Sequence, residues 1–97
     1  MEIRVLEFRL LPGHKATRAF VDLEIGEIQI RDFRIYQTNG KPSVRNPFTV
    51  YKDVDGNLKF RQLVSLPSNV EAEVHSMILS EYFRRLKENR NDDRSRS

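Results

Sequence analysis

Asp53, Asp55 and Gly56 stand in the run "YKDVDGNLKF" with the D-x-D-G spacing that opens many calcium-binding loops. Such a loop needs oxygen ligands at its first, third, fifth and twelfth positions, because the ion takes about six to eight oxygens. With Gly56 in the sixth place, the first position falls on Tyr51 and the twelfth on Gln62. Neither is a carboxylate, and both flanks alternate apolar and polar residues as strands do. The run is therefore expected to be a β-hairpin without a metal. Two registers compete. A two-residue Asp55-Gly56 loop sets Lys52 opposite Lys59. A three-residue Val54-Asp55-Gly56 loop, with Gly56 left-handed, pairs Val50 with Phe60 and Lys52 with Leu58. The second avoids a like-charge pair and is the one expected.

Other reactive groups are few. Of the two histidines, His14 falls in a turn, and His75 shares a helical face with Glu71 at i, i+4. One His and one Glu fall short of a metal site. The absence of cysteine removes disulfides, thiolate ligands and thiol nucleophiles. No phosphate-cradling glycine loop or nucleophile elbow occurs, so a non-enzymatic protein without cofactor is expected.

What remains is basic. Lys41, Arg45, Lys52, Lys59 and Arg61 surround the hairpin against Asp53 and Asp55, an excess equal to the +3 net charge of the whole chain. Arg84, Arg85 and Lys87 form a second cluster. Together with Tyr51 and Phe60, the hairpin cations suit a phosphate backbone. Hairpins and helix C-termini are also ordinary places for solvated Lys and Arg, so charge alone leaves both readings open.

The elements that must position these residues are legible from periodicity. A chain of 97 residues has room for one core. Alternation marks five strands: "EIRVLEFRLL", "RAFVDLEIG", "IQIRDFRIYQT", "PFTVYK" and "LKFRQLV". Turns fall at Pro12-Gly13, Gly26-Glu27 and "TNGKPS". In the third strand Ile28 and Ile30 are even-numbered but Phe33 and Ile35 odd, which predicts a bulge near Arg31–Asp32. After Pro67 the period changes. Val70, Val74, Met77, Ile78, Tyr82 and Leu86 make a helical stripe, and Ser68 and Glu71 have capping-box spacing.

The fold class expected is α+β: a twisted antiparallel sheet of about five strands, then one C-terminal amphipathic helix. The domain spans residues 1–88, and the polar tail 89–97 is expected to be disordered. One helix covers one sheet face. Phe20, Phe33, Phe48, Tyr51 and Phe60 exceed what a single layer needs, so some of this apolar surface, or an unpaired strand edge, is expected to find a partner chain in a homodimer. No apolar run approaches the roughly 20 residues of a membrane span. Glu2, Arg4, Glu7 and Arg9 also interrupt any signal-peptide core, so no membrane insertion and a cytoplasmic location are expected.

Taken in order, the segments from "AFVDLEIG" to "ILSEYFRRL" resemble the stage V sporulation protein G (SpoVG) family, also called septation protein SpoVG. The landmarks are Asp32 in "IRDFRI", Pro47, Asp55 and Gly56 in "NPFTVYKDVDGNLKF", Pro67 in "SLPS", and Glu81 and Tyr82 in "ILSEYFRRL". The resemblance covers about residues 1–86, and its specificity lies in the order and spacing of short motifs. It implies a small bacterial cytoplasmic protein that dimerises through its sheet. It also implies links to septum formation, sporulation and gene regulation, DNA binding and in some members RNA binding. Three departures stand out. Leu66 replaces the family's usual His before Pro67, and Asn46 stands where Met is common before Pro47. The helix start "SNVEAEVHS" is acidic where the family carries Arg and Lys. DNA contacts are therefore expected from Arg45, Lys52, Lys59 and Arg61 or from Arg84, Arg85 and Lys87. The competing reading is a protein-interaction module of cell division, in contact with division-machinery proteins and not with nucleic acid.

Overall fold

The structure, a computed structural model, describes residues 2–13 and 15–96, with side chains as far as residue 88. His14, expected in a turn, lies outside the described residues, as do the side chains of 89–97, expected as a disordered tail. The elements are β1 (Ile3–Leu10), β2 (Thr17–Ile25), β3 (Ile28–Tyr36), β4 (Ser43–Arg45), β5 (Phe48–Lys52), β6 (Leu58–Gln62) and α1 (Ser68–Arg96). The architecture is α+β. Strands β1 to β4 form an antiparallel sheet in sequence order, and β5 and β6 form a separate two-stranded sheet. Six strands in two sheets thus replace the expected five in one. The extra strand, β4, has three residues and follows Pro42, too short a run for alternation to register.

The four-stranded sheet is organised around two bulges at one level of β2. On β3, Val21 pairs with Phe33 and Leu23 with Ile30, so Arg31 and Asp32 together oppose Asp22. This is the bulge expected from the parity slip. Asp32 sits at φ 70, a left-handed conformation that Asp tolerates better than bulky residues do. On β1, Val5 pairs with Leu23 and Glu7 with Asp22, so Leu6 is left over and turns outward, 39% exposed. Strict alternation would set Leu6 on one face with Phe8 and Leu10. The bulge instead puts Ile3 and Val5 on the same side as Phe8 and Leu10, packed against the core. The slip escaped notice because Leu6 is itself apolar.

Asp22 holds this arrangement. Its carboxylate is buried on the face of β2 away from the helix, where Oδ1 accepts the Asp32 backbone N–H at 3.0 Å and Oδ2 accepts from Arg31 Nη1 at 3.2 Å. A buried charge is tolerated when it is hydrogen-bonded and paired, and here it fixes the bulged backbone in return.

On the other face, Ala19, Val21 and Leu23 of β2, Phe33 and Ile35 of β3 and Val44 of β4 meet Val74, Ile78 and Tyr82 of α1. The expected helical stripe is the one buried. Tyr82 stacks on Phe8 with ring centroids 6.5 Å apart. The capping box does not form. The Glu71 amide bonds the Pro67 carbonyl at 2.8 Å, which makes Ser68 the first helical residue, and the Glu71 carboxylate is drawn to Asn46 instead.

The β5–β6 hairpin has the expected register, Val50 with Phe60 and Lys52 with Leu58. Gly56 lies at φ 83, and Asp53 Oδ1 accepts the backbone amides of Asp55 at 2.9 Å and Asn57 at 3.0 Å. The first carboxylate of the D-x-D-G string is thus spent on shaping its own turn.

Replacing Asp22 by Ala removes the pairing with Arg31 and leaves the partly buried Asp32 N–H without its acceptor. We expect a loss of about 2–3 kcal/mol in urea denaturation, with Asp22→Asn costing about half of that. An unchanged midpoint would show that the bulge stands without its staple.

Candidate nucleic-acid interface

Because β2 alternates regularly from Ala19 to Ile25, its even-numbered residues there point away from α1, and its neighbours follow suit beyond each bulge. Phe20 is therefore flanked by Arg9 of β1 and Arg34 of β3, its register partners. The two guanidinium carbons lie 5.7 and 5.2 Å from its ring centroid. Arg34 reaches further. It also lies 4.2 Å from the ring centroid of Phe48 on the hairpin, so one guanidinium is held between two aromatic rings from different sheets. Phe48 in turn meets Phe60 edge-on at 5.6 Å. The row Arg9, Phe20, Arg34, Phe48, Phe60 runs across the face that the helix leaves open.

Arg34 and Arg45 are direct cross-strand partners on β3 and β4. Like charges so placed repel, by a few tenths of a kcal/mol or more. Arg45 lies over Tyr36 at 4.7 Å, a stacking that orients the cation without neutralising it. Among the described residues neither guanidinium has a carboxylate partner. Arg34 Nε is buried with no hydrogen-bond partner among them. Arg9 differs, since it is paired with Asp32 at 3.3 Å.

The candidates read from the sequence are divided by this geometry. Arg45 belongs to the guanidinium pair. Lys52 shares a hairpin face with Phe48, Val50, Leu58 and Phe60, whereas Lys59 and Arg61 lie on the opposite face with Tyr51. The hairpin cations thus form no single stripe. The helix-end cluster is largely committed internally. Arg84 pairs with Glu81 and with Glu88, and Arg85 pairs with Glu81 at 2.9 Å while its guanidinium lies 4.7 Å from the Phe8 ring. The hydrogen bond from Arg84 is the main reason that the Glu81 carboxyl titrates below its ordinary value; partial burial opposes it and Arg85 adds to it. Lys87 is exposed, with no ion pair among the described residues. The other landmarks are structural. Pro47 is buried between β4 and β5, Pro67 accepts the first helical hydrogen bond, and Asp55 and Gly56 form the hairpin tip.

Arg9, Phe20 and Arg34 were not among the sequence candidates. A signal for them existed: Phe20 is an aromatic residue out of phase with Ala19, Val21 and Leu23, and so cannot join their core.

Beside the guanidinium pair lies a cleft of about 420 Å³ bounded by Val44, Arg45, Asn46, Phe48, Phe60, Gln62, Glu71 and His75. Its floor is a side-chain relay. Asn46, 8% exposed, donates through Nδ2 to Glu71 Oε2 at 3.2 Å. That donation turns Asn46 Oδ1 toward His75 Nε2 at 2.7 Å, so the His carries its proton on Nε2. Burial pushes the His75 pKa below its ordinary value, with the Glu71 charge opposing. Among the described residues no group of three or more His, Asp or Glu side chains converges as a metal site would. No helix among them is long and apolar enough to cross a membrane. No protein-family model matches the chain, and no curated protein matches it.

A lowered His75 pKa has a defined sign. Between the folded and unfolded values the unfolded chain binds more protons, so the contribution is complete above pH 6.5 and lost as pH falls through the folded value. Thermal unfolding followed from pH ~7.5 to ~5.5 should show a falling midpoint in the parent, and a smaller fall in His75→Gln. Equal falls would remove His75 as the cause.

Proposed function

We propose that this protein is a non-enzymatic, dimeric nucleic-acid-binding regulator of the SpoVG type, acting in the bacterial cytoplasm on septation, sporulation or gene expression. The observation that carries the reading is the pair Arg34–Arg45. The two arginines are register partners on adjacent strands, and neither has a carboxylate partner among the described residues. An arrangement that repels itself in the free protein gains most when a polyanion arrives, and guanidinium forks fit phosphate oxygens in bidentate fashion. Lys52 lies on the hairpin face of Phe48, while Lys59 and Arg61 face another way. The order of short motifs shared with the SpoVG family supports the same reading. The β1 edge, eight residues long, leaves a row of backbone donors and acceptors for a second copy.

The alternative, a protein-interaction module of cell division, draws on the acidic helix start at Glu71 and Glu73 and on the exposed apolar hairpin residues Val50 and Leu58. Nuclease-resistant recovery of a division protein would favour it.

Fluorescence anisotropy with labelled nucleic acid decides between them. If about three phosphates are neutralised, affinity falls roughly 40-fold between ~50 and ~200 mM salt. The double variant Arg34→Ala, Arg45→Ala should lower the salt slope by about two. Absence of binding at ~50 mM salt would sink the proposal. Sedimentation should give twice the 11.5 kDa protomer mass; a monomer at micromolar concentration would remove the dimer.

A further inference from the structure

We infer that the cleft between β4, the hairpin and the first turns of α1 takes one unstacked nucleobase, so that the protein binds single-stranded nucleic acid in preference to duplex. The inference rests on the nucleic-acid reading above and names which form of the polymer it selects.

Three features of the cleft carry it. The first is an aromatic platform already in place. Phe60 is 67% exposed, yet its ring is braced edge-on by Phe48, which is itself held under the Arg34 guanidinium. A large aromatic side chain left this open gains by stacking on a flat π surface, and every base offers one. Leu58, 65% exposed, and Val50, 44% exposed, flank it on the same hairpin face.

The second is size and polarity. At about 420 Å³ the cleft falls within the ~300–1,000 Å³ range of small-ligand sites. Its lining also carries hydrogen-bonding side chains, Glu71 and Gln62 among them. Glu71 Oε1 and Gln62 Oε1 have no hydrogen-bond partner among the described residues, while Glu71 Oε2 and Gln62 Nε2 are anchored to Asn46 and to the Val64 carbonyl. Each side chain is thus fixed at one atom and free at the other, as a base-edge acceptor should be.

The third is charge. Arg45 lines the cleft, and the Arg34 guanidinium stacks on Phe48, another of its lining residues. Two arginines beside an aromatic slot, without carboxylate partners among the described residues, match a base with its own phosphate. A neutral apolar peptide would leave both charges unmet. In a duplex the bases are stacked inside the helix, and their rings cannot reach Phe60 without being flipped out.

The test compares a fluorescein-labelled single-stranded DNA of about 12 mixed-sequence nucleotides with its own duplex, by anisotropy at low salt. The parent protein should bind the single strand about tenfold or more tightly than the duplex. In Phe60→Ala that ratio should fall to near one, and in Phe60→Tyr it should persist. Because Phe60 is mostly exposed, circular dichroism of Phe60→Ala should match the parent. If both forms bind equally in the parent, or the ratio survives Phe60→Ala, the base-binding inference is overturned while the nucleic-acid reading stands. If neither form binds, both fall together.

Discussion

The fold depends on one buried carboxylate. A regular pairing of β1, β2 and β3 would send either Ile3 and Val5 or Phe8 and Leu10 to the wrong face, and likewise either Ile30 or Phe33 and Ile35. Both neighbours of β2 must lose a residue from their ladder, and both do so beside Asp22. Its two oxygens hold the β3 bulge by a backbone amide and an arginine. The core of Val21, Leu23, Phe33, Ile35, Val74 and Ile78 is closed because this correction is made at one level on both sides of β2. The charge is buried on the face opposite the helix, so correcting one face also shapes the other.

Much of this is written in the sequence, but unevenly. The β3 bulge is visible because Ile28 and Ile30 disagree in parity with Phe33 and Ile35. The β1 bulge is hidden because Val5, Leu6 and Phe8 are all apolar, so either phase reads as a strand. The hairpin register follows from like-charge avoidance at Lys52 and Lys59 together with a glycine able to take positive φ. Strand β4 is too short to show a period. The capping box at Ser68 and Glu71 is a local pattern overridden by a tertiary partner, since Asn46 offers the Glu71 carboxylate a better-placed donor. No local rule could have anticipated that pairing across 25 residues of chain.

The candidate site divides in the same way. Arg84 and Arg85 read as free cations when counted, but Glu81 and Glu88 stand at helical spacing from them and neutralise them. That was legible from spacing alone. The guanidinium pair was not, because Arg34 and Arg45 are brought together by a strand whose existence the sequence conceals. Charge inventories therefore locate basic segments, while topology decides which cations face solvent together and without a counter-charge.

The position of Arg34 between Phe20 and Phe48 has a mechanical meaning. Among the described residues no backbone hydrogen bond joins the two sheets. A cation–π stack contributes about 0.5–2 kcal/mol and, unlike a ladder of hydrogen bonds, fixes no register between the parts it joins. The guanidinium is therefore a joint between the two sheets that sets no strand register, with the Phe20 ring on one side and the Phe48 ring on the other.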